Sequence, residues 1–117
     1  KGIKVNKFSG FKFLKRFILS LTNDKQKKIY LIDPSNKQSK TNKNYLKSKN
    51  INRIYQYVAP IYKKNRIYDT KLLNEIKKIK PKYILINLGG GTQEILGNYL
   101  KRKLNYKPSI ICSGAAI

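Results

Sequence analysis

The sequence predicts an α/β protein with a three-layer, Rossmann-like parallel sheet that carries helices on both faces. Short, nearly all-apolar runs of strand length alternate with amphipathic helical segments, and the connections between them are short. Strands that are apolar throughout are typical of parallel sheets, because helices cover both faces of such sheets. The chain has 117 residues, which corresponds to about one domain, so we expect a single α/β domain over residues 1–117.

Each element of this fold has a local signal. Apolar runs predict parallel strands near residues 28–32, 53–58, 82–88 and 109–113. Apolar residues at helical spacing predict helices over three segments, which are 9–22, a weak and exposed 35–50, and 92–104. The clearest helix follows Asp69 or Thr70 as its N-cap and ends before Pro81.

The charge of the chain is strongly positive, with 27 basic and 5 acidic residues and a net charge of +22. A polyanion partner, either nucleic acid or an anionic membrane surface, would explain this balance. However, 23 of the basic residues are lysine, whereas arginine is the residue that reads bases and phosphates bidentately. A genome rich in A and T would also favour the Lys, Asn, Ile and Tyr that make up 60 residues, so both explanations stay open.

Several classes of site are excluded by composition. The chain has one cysteine, Cys112, and no histidine, which excludes an internal disulfide, a multi-cysteine or zinc site and a histidine-dependent triad. We expect no metal site. No apolar run approaches the roughly 20 residues of a membrane-spanning helix. Because the chain starts at Lys1 without a methionine, we expect it to be a fragment of a longer domain.

Three consecutive glycines, Gly89 to Gly91, separate the third strand from the helix that follows it. In an open parallel sheet, ligands bind beyond the carboxyl ends of the strands. Glycines let a ligand approach the backbone, and the start of a helix offers unpaired N–H donors to a phosphate or diphosphate. A tight turn without a ligand is the alternative. Neither the P-loop motif nor the dinucleotide fingerprint fits this stretch.

Two polar residues follow the glycines in the first turn of the predicted helix. Gln93 has two donors and one acceptor, so it could contact a phosphate or a sugar. Glu94 would repel a diphosphate, although an acid at this position also stabilises the helix dipole. The sequence leaves both roles of Glu94 open.

At these residues the chain resembles a known family. The stretch "KPKYILINLGGGTQE", followed by "YKPSIICSGAAI", resembles the WecG/TagA/CpsF family of bacterial glycosyltransferases. That family carries Leu-Gly-x-Pro-Lys-Gln-Glu and, later, a strand that ends in Gly-Ala-x-Phe-Asp. The matching residues are Leu88, Gly89, Gln93, Glu94, Gly114 and Ala115. Nearly the whole chain can be laid on the later part of the family's core.

The chain also departs from the family pattern. Gly91 stands in place of the motif proline, Thr92 in place of the lysine, and Leu96 in place of the usual aromatic residue. The expected acid after the Gly-Ala loop has no counterpart. The earlier segment of the family, with the acid thought to act as the catalytic base, also has no counterpart in residues 1–117.

The resemblance implies a specific reaction. An N-acetylmannosamine-type sugar would move from a UDP-sugar donor to a polyprenyl-diphosphate-linked N-acetylglucosamine, in cell-surface polysaccharide or teichoic acid synthesis. The enzyme would need no metal and no cofactor beyond the donor, and it would be cytoplasmic and peripheral at the inner membrane face. Its partners would be the nucleotide-sugar donor and the lipid-linked acceptor. The implied donor-binding residues are Gly89, Gly90, Gly91, Thr92, Gln93, Glu94, Gly114 and Ala115.

The catalytic residue stays unknown from the sequence. Asp33 is a weak candidate because it ends a strand on the ligand side, but it does not match the family's acid. We therefore expect residues 1–117 alone to bind the donor without transferring sugar. Two other functions stay open, which are a basic nucleic-acid-binding module and a non-catalytic remnant of the fold.

Overall fold

A computed structural model of the chain describes residues 5–7, 27–63 and 67–112. The strands of this part are β1 (Val5–Lys7), β2 (Ile29–Asp33), β3 (Ile54–Val58), β4 (Tyr83–Ile86) and β5 (Ser109–Cys112). Its helices are α1 (Asn36–Ser48), α2 (Thr70–Ile79) and α3 (Thr92–Lys103). The predicted helix over 9–22 lies outside the described residues and stays a prediction.

The strands form one all-parallel sheet in the order β1-β5-β4-β2-β3. From β2 the chain moves outward to β3, and then it returns across β2 to β4 and continues to β5. The parallel pairing of β4 with β5, in the register of Ile86 with Cys112, confirms the predicted arrangement of these two strands. Strand β1 was not predicted, because three residues with a central asparagine carry no strand pattern.

Helices cover both faces of the sheet, as predicted. On one face, Leu46 of α1 packs with Ile29 and Leu31 of β2. On the other face, α2 and α3 pack against Tyr30 and Ile32 of the same strand. Successive side chains of a strand point to opposite faces, so β2 is buried along its whole length. The fold is therefore the three-layer α/β arrangement that the alternating elements predict.

The direction of the helices follows from the parallel strands. We call the end of the sheet where β2, β3, β4 and β5 finish the carboxyl edge, and the opposite end the amino edge. Each helix connects the end of one strand to the start of the next parallel strand, so helices begin at the carboxyl edge and end at the amino edge. In the described part of the chain, no helix has the length and apolar character needed to cross a membrane.

Candidate functional site

The carboxyl edge contains a crevice between β2 and β4. The helix after β2 packs on one face of the sheet, and the helix after β4 packs on the other. Ligands of open α/β sheets bind where consecutive connections diverge in this way. The main chain closes the floor of the crevice, because the N–H of Asn87 donates to the carbonyl of Ile32 at 2.8 Å.

A cavity of about 170 Å³ opens at this edge, beside the glycine loop. Its walls are Pro34, Ala59, Pro60, Ile61, Tyr62, Leu88, Gly89 and Thr92. Ligand pockets usually measure about 300–1,000 Å³, so this cavity would hold one moiety of a larger ligand. Larger cavities of about 240 Å³ beside α3 and about 330 Å³ along α1 do not include the glycine loop. We take the cavity at the carboxyl edge as the candidate site because the ends of three strands meet there.

The three glycines of the loop are not equivalent. Gly91 has a φ of 85°, a backbone conformation that residues other than glycine rarely adopt. Gly89 and Gly90 do not have a positive φ, and a Cβ at either would meet no atom within 4 Å. A tight turn therefore explains glycine at position 91 only. The space above Gly89 and Gly90 is open to a ligand.

Glu94 caps the helix that follows the glycines. Its Oε1 accepts a hydrogen bond of 2.8 Å from the N–H of Gly91, so this donor is already engaged. Gln93 is buried, and its main-chain carbonyl accepts a hydrogen bond of 3.4 Å from the Cys112 thiol. The structure thus places Gly89 and Thr92 on the cavity and gives Glu94 a local role in the helix start. Gly114 and Ala115 lie outside the described residues.

Asp33 lies at the centre of a buried polar cluster in the crevice. Its Oδ1 accepts hydrogen bonds of 2.7 Å from the side-chain amides of both Asn42 and Asn87. All three side chains are at most 2% exposed. Among the described residues, the second carboxylate oxygen, Oδ2, and the Asn42 Oδ1 have no hydrogen-bond partner. Asp33 therefore joins the end of β2 to α1 and to the end of β4.

Asn42 and Asn87 were not among the site residues predicted from the sequence. Asn87 directly follows the apolar β4, and polar residues at that position of a parallel strand face the ligand edge. Asn42 is a buried polar residue on an otherwise polar helix. Nothing in its local pattern distinguishes it from the exposed asparagines nearby.

A second polar cluster supports the wall of the cavity. Asp69 caps α2 by accepting from the N–H of Leu72 at 3.0 Å, so the cap is Asp69 and not Thr70. Its Oδ2 also accepts from the hydroxyls of Tyr57 at 2.8 Å and Tyr62 at 2.7 Å. Burial raises the pKa of both hydroxyls, and the hydrogen bonds to Asp69 raise it further. Tyr62 is thus a neutral donor, held in place beside the cavity.

The comparison with known proteins gives a family. The model of the glycosyl transferase WecG/TagA/CpsF family matches residues 1–117, the whole chain. The chain belongs to the WecG/TagA/CpsF family. No curated protein and no solved structure matches it.

Membership in the WecG/TagA/CpsF family indicates a glycosyltransferase of cell-surface polysaccharide synthesis. A nucleotide-sugar donor and a lipid-linked acceptor are the general partners that the family implies. The match confirms the resemblance and favours a glycosyltransferase over a nucleic-acid-binding module. In this WecG/TagA/CpsF protein, the glycine loop and the cavity beside it lie where a parallel sheet binds its ligand.

Proposed function

We propose that the chain binds a UDP-sugar at the carboxyl edge, with the diphosphate over Gly89 and Gly90. The sugar is of the N-acetylmannosamine type, and the acceptor is a polyprenyl-diphosphate-linked N-acetylglucosamine. The observation that carries the proposal is the open space above these two glycines. Neither the backbone conformation nor the packing requires glycine at position 89 or 90. Glycine at both positions is explained if a ligand lies against the backbone.

The start of α3 supplies the attraction for the diphosphate in this proposal. The positive end of the helix dipole favours an anion at a helix start. The N–H groups of Gly91 and Gln93 are bound by Glu94 and by the Gly89 carbonyl, so the dipole is the part of the helix start that the proposal uses. Thr92 adds a hydroxyl donor on the wall of the cavity. These groups bind phosphate without a metal, so we propose a metal-independent transfer with no cofactor besides the donor.

The reaction itself needs a base. The acceptor hydroxyl oxygen attacks the anomeric carbon, the bond from that carbon to the β-phosphate oxygen breaks, and UDP leaves with the electron pair. The hydroxyl proton passes to the base. Among the described acids, Asp33 stays the weak candidate for this role. Its Oδ1 accepts from two amides, and its Oδ2 has no partner among the described residues but is buried, so an acceptor hydroxyl does not reach it in this conformation.

Addition of one methyl group at position 90 tests the proposed diphosphate site. We expect Gly90→Ala to weaken the binding of UDP at least about tenfold, because the added methyl group occupies the space of the diphosphate. The fold should tolerate the change, since the methyl group meets no protein atom. Calorimetry with UDP and with uridine measures the effect, and uridine is the control because it lacks the phosphates.

Two results of this calorimetry would contradict the proposal. Equal binding of UDP by the variant and the native chain would show that the diphosphate does not lie over Gly90. Tight binding of a duplex oligonucleotide by a native chain that does not bind UDP would favour the nucleic-acid-binding alternative.

We also expect residues 1–117 alone to bind the donor without measurable sugar transfer. Each acidic side chain of the described residues already accepts an internal hydrogen bond: Asp33 from two asparagines, Asp69 from two tyrosines, Glu75 from Tyr30, and Glu94 from Gly91. A radiolabelled transfer assay on a lipid-linked N-acetylglucosamine analogue tests this expectation. Robust turnover would contradict it, and its loss in Asp33→Asn would then identify Asp33 as the base.

A further inference from the structure

Exposed apolar side chains are confined to one edge of the described structure. The large apolar residues that are exposed in this part of the chain are Val58, Ile61, Tyr68 and Ile95. Val58 ends β3, Ile61 lies in the loop after it, Tyr68 precedes the cap of α2, and Ile95 lies in the first turn of α3. All four positions belong to the carboxyl edge.

Ile61 is the most prominent of these residues. It is 100% exposed, and Tyr68 is 75% exposed. Ile61 also forms part of the cavity wall, together with Gly89 and Thr92. The loop that carries it is anchored, because the neighbouring Tyr62 donates its hydroxyl to Asp69 at 2.7 Å. Single exposed apolar residues are ordinary, but a group of them around a cavity indicates a contact surface.

The same edge presents exposed lysines to solvent, whereas none of its described acids is exposed. Exposed lysines lie in the first turn of α1 (Lys37), in the loop after β3 (Lys63) and in the first turn of α2 (Lys71). A lysine in a first turn opposes the helix dipole, so helix stability does not explain Lys37 or Lys71. The described acids of this edge, which are Asp33, Asp69 and Glu94, accept internal hydrogen bonds.

We propose that the carboxyl edge binds the surface of an anionic phospholipid bilayer. Ile61 and Tyr68 enter the interface between head groups and acyl chains, and Lys37, Lys63 and Lys71 contact the anionic head groups. Apolar side chains beside lysines match such a surface. The inference rests on the proposed function in one respect, since it places the mouth of the donor cavity where a lipid-linked acceptor lies.

The amino edge is the competing surface for a bilayer. The C-terminal ends of the helices carry basic residues, among them Lys77 and Lys78 of α2 and Lys101, Arg102 and Lys103 of α3. Binding driven by charge alone would use this edge. None of the exposed large apolar residues of the described structure lies there, so insertion into the bilayer distinguishes the two surfaces.

The absence of tryptophan from the chain allows a direct test with a single fluorescent reporter. We expect the emission of Ile61→Trp to shift to shorter wavelength and to be quenched when the protein meets phosphatidylglycerol vesicles with brominated acyl chains. The control is Asn105→Trp, at an exposed position of the amino edge, which should show neither change. Quenching of Asn105→Trp alone, or of neither variant, would overturn the proposal.

A matched pair of lysines on one helix tests the electrostatic part. Lys71 and Lys78 are both exposed and lie at opposite ends of α2. In sedimentation with phosphatidylglycerol vesicles, we expect Lys71→Gln to weaken binding about fivefold and Lys78→Gln to change it less than about twofold. Ile61→Ser should weaken it about tenfold. Equal effects of the two lysine variants, or no effect of Ile61→Ser, would show that another surface binds.

Vesicle binding and UDP binding can be measured separately. The vesicle experiments contain no nucleotide, and the calorimetry on Gly90→Ala contains no lipid. A chain that binds vesicles through Ile61 but not UDP would contradict the proposed donor site only. A chain that binds UDP at the glycine loop while Ile61→Trp stays unquenched would contradict the membrane surface only.

Discussion

Asp69→Ala is expected to lower the free energy of unfolding by about 3 kcal/mol. The substitution removes the N-cap of α2, which accepts from the buried N–H of Leu72. It also removes the acceptor of the Tyr57 and Tyr62 hydroxyls. Tyr62 is partly buried, so water can only partly replace the lost bond. The expected loss thus combines a helix cap with two side-chain hydrogen bonds.

Urea denaturation measures this loss as a lower midpoint at an unchanged slope. Asp69→Asn is the matched variant, because one oxygen can still cap α2 while an amide replaces the oxygen that the tyrosines use. We expect it to cost about 1 kcal/mol, between the native chain and Asp69→Ala. A native-like midpoint for Asp69→Ala would show that the tyrosine cluster does not stabilise the fold.

Replacement of the carboxylate by an amide is expected to have the opposite effect on stability at Asp33. Asp33→Asn should be at least as stable as the native chain, because the substitution removes a buried carboxylate whose donors are two neutral amides. The amide oxygen can still accept from Asn42 and Asn87. The new amide nitrogen would take the place of Oδ2, which has no partner among the described residues.

Asp33→Ala is the control for the hydrogen bonds of the same cluster. It leaves the amides of Asn42 and Asn87 buried without their acceptor, so it should be less stable than Asp33→Asn by about 2–4 kcal/mol. Urea denaturation of the three proteins compares them directly. A large loss of stability in Asp33→Asn would mean that the carboxylate itself holds the strand ends together.

The Asp33 series also bears on function. If Asp33→Asn is as stable as the native chain, the stability of the fold does not explain why position 33 carries an acid. Residues that are unfavourable for folding are typical of functional sites. Should the chain transfer sugar, contrary to the expectation above, loss of transfer without loss of stability in Asp33→Asn would support a catalytic role for the side chain.

The lysines illustrate a feature that the linear sequence hides. Basic residues are spread evenly along the chain, so their positions in the sequence indicate no surface. In the fold, helix ends collect them at the amino edge, while the exposed apolar residues and a smaller group of lysines share the carboxyl edge. The two edges therefore differ in chemistry, although neighbouring segments of sequence do not.

The glycine loop was predictable from the sequence in its position but not in the roles of its three glycines. Its place after a strand and before a helix was predictable, because apolar periodicity and helix starts depend on residues close together in the chain. The distinction between Gly91 and its two neighbours was not. It depends on the φ of one residue and on the empty space above the others, and both arise only in the folded chain.

The class of the fold, the strands β2 to β5, the helices between them and the position of the glycine loop were predictable from local patterns of residues. These features depend on apolar spacing, capping residues and turns, which act over a few residues. The order of the strands and the two polar clusters were decided by the tertiary structure alone. Asn87 reaches Asp33 across 54 positions of sequence because β2 and β4 become neighbours only when the sheet buries its apolar faces.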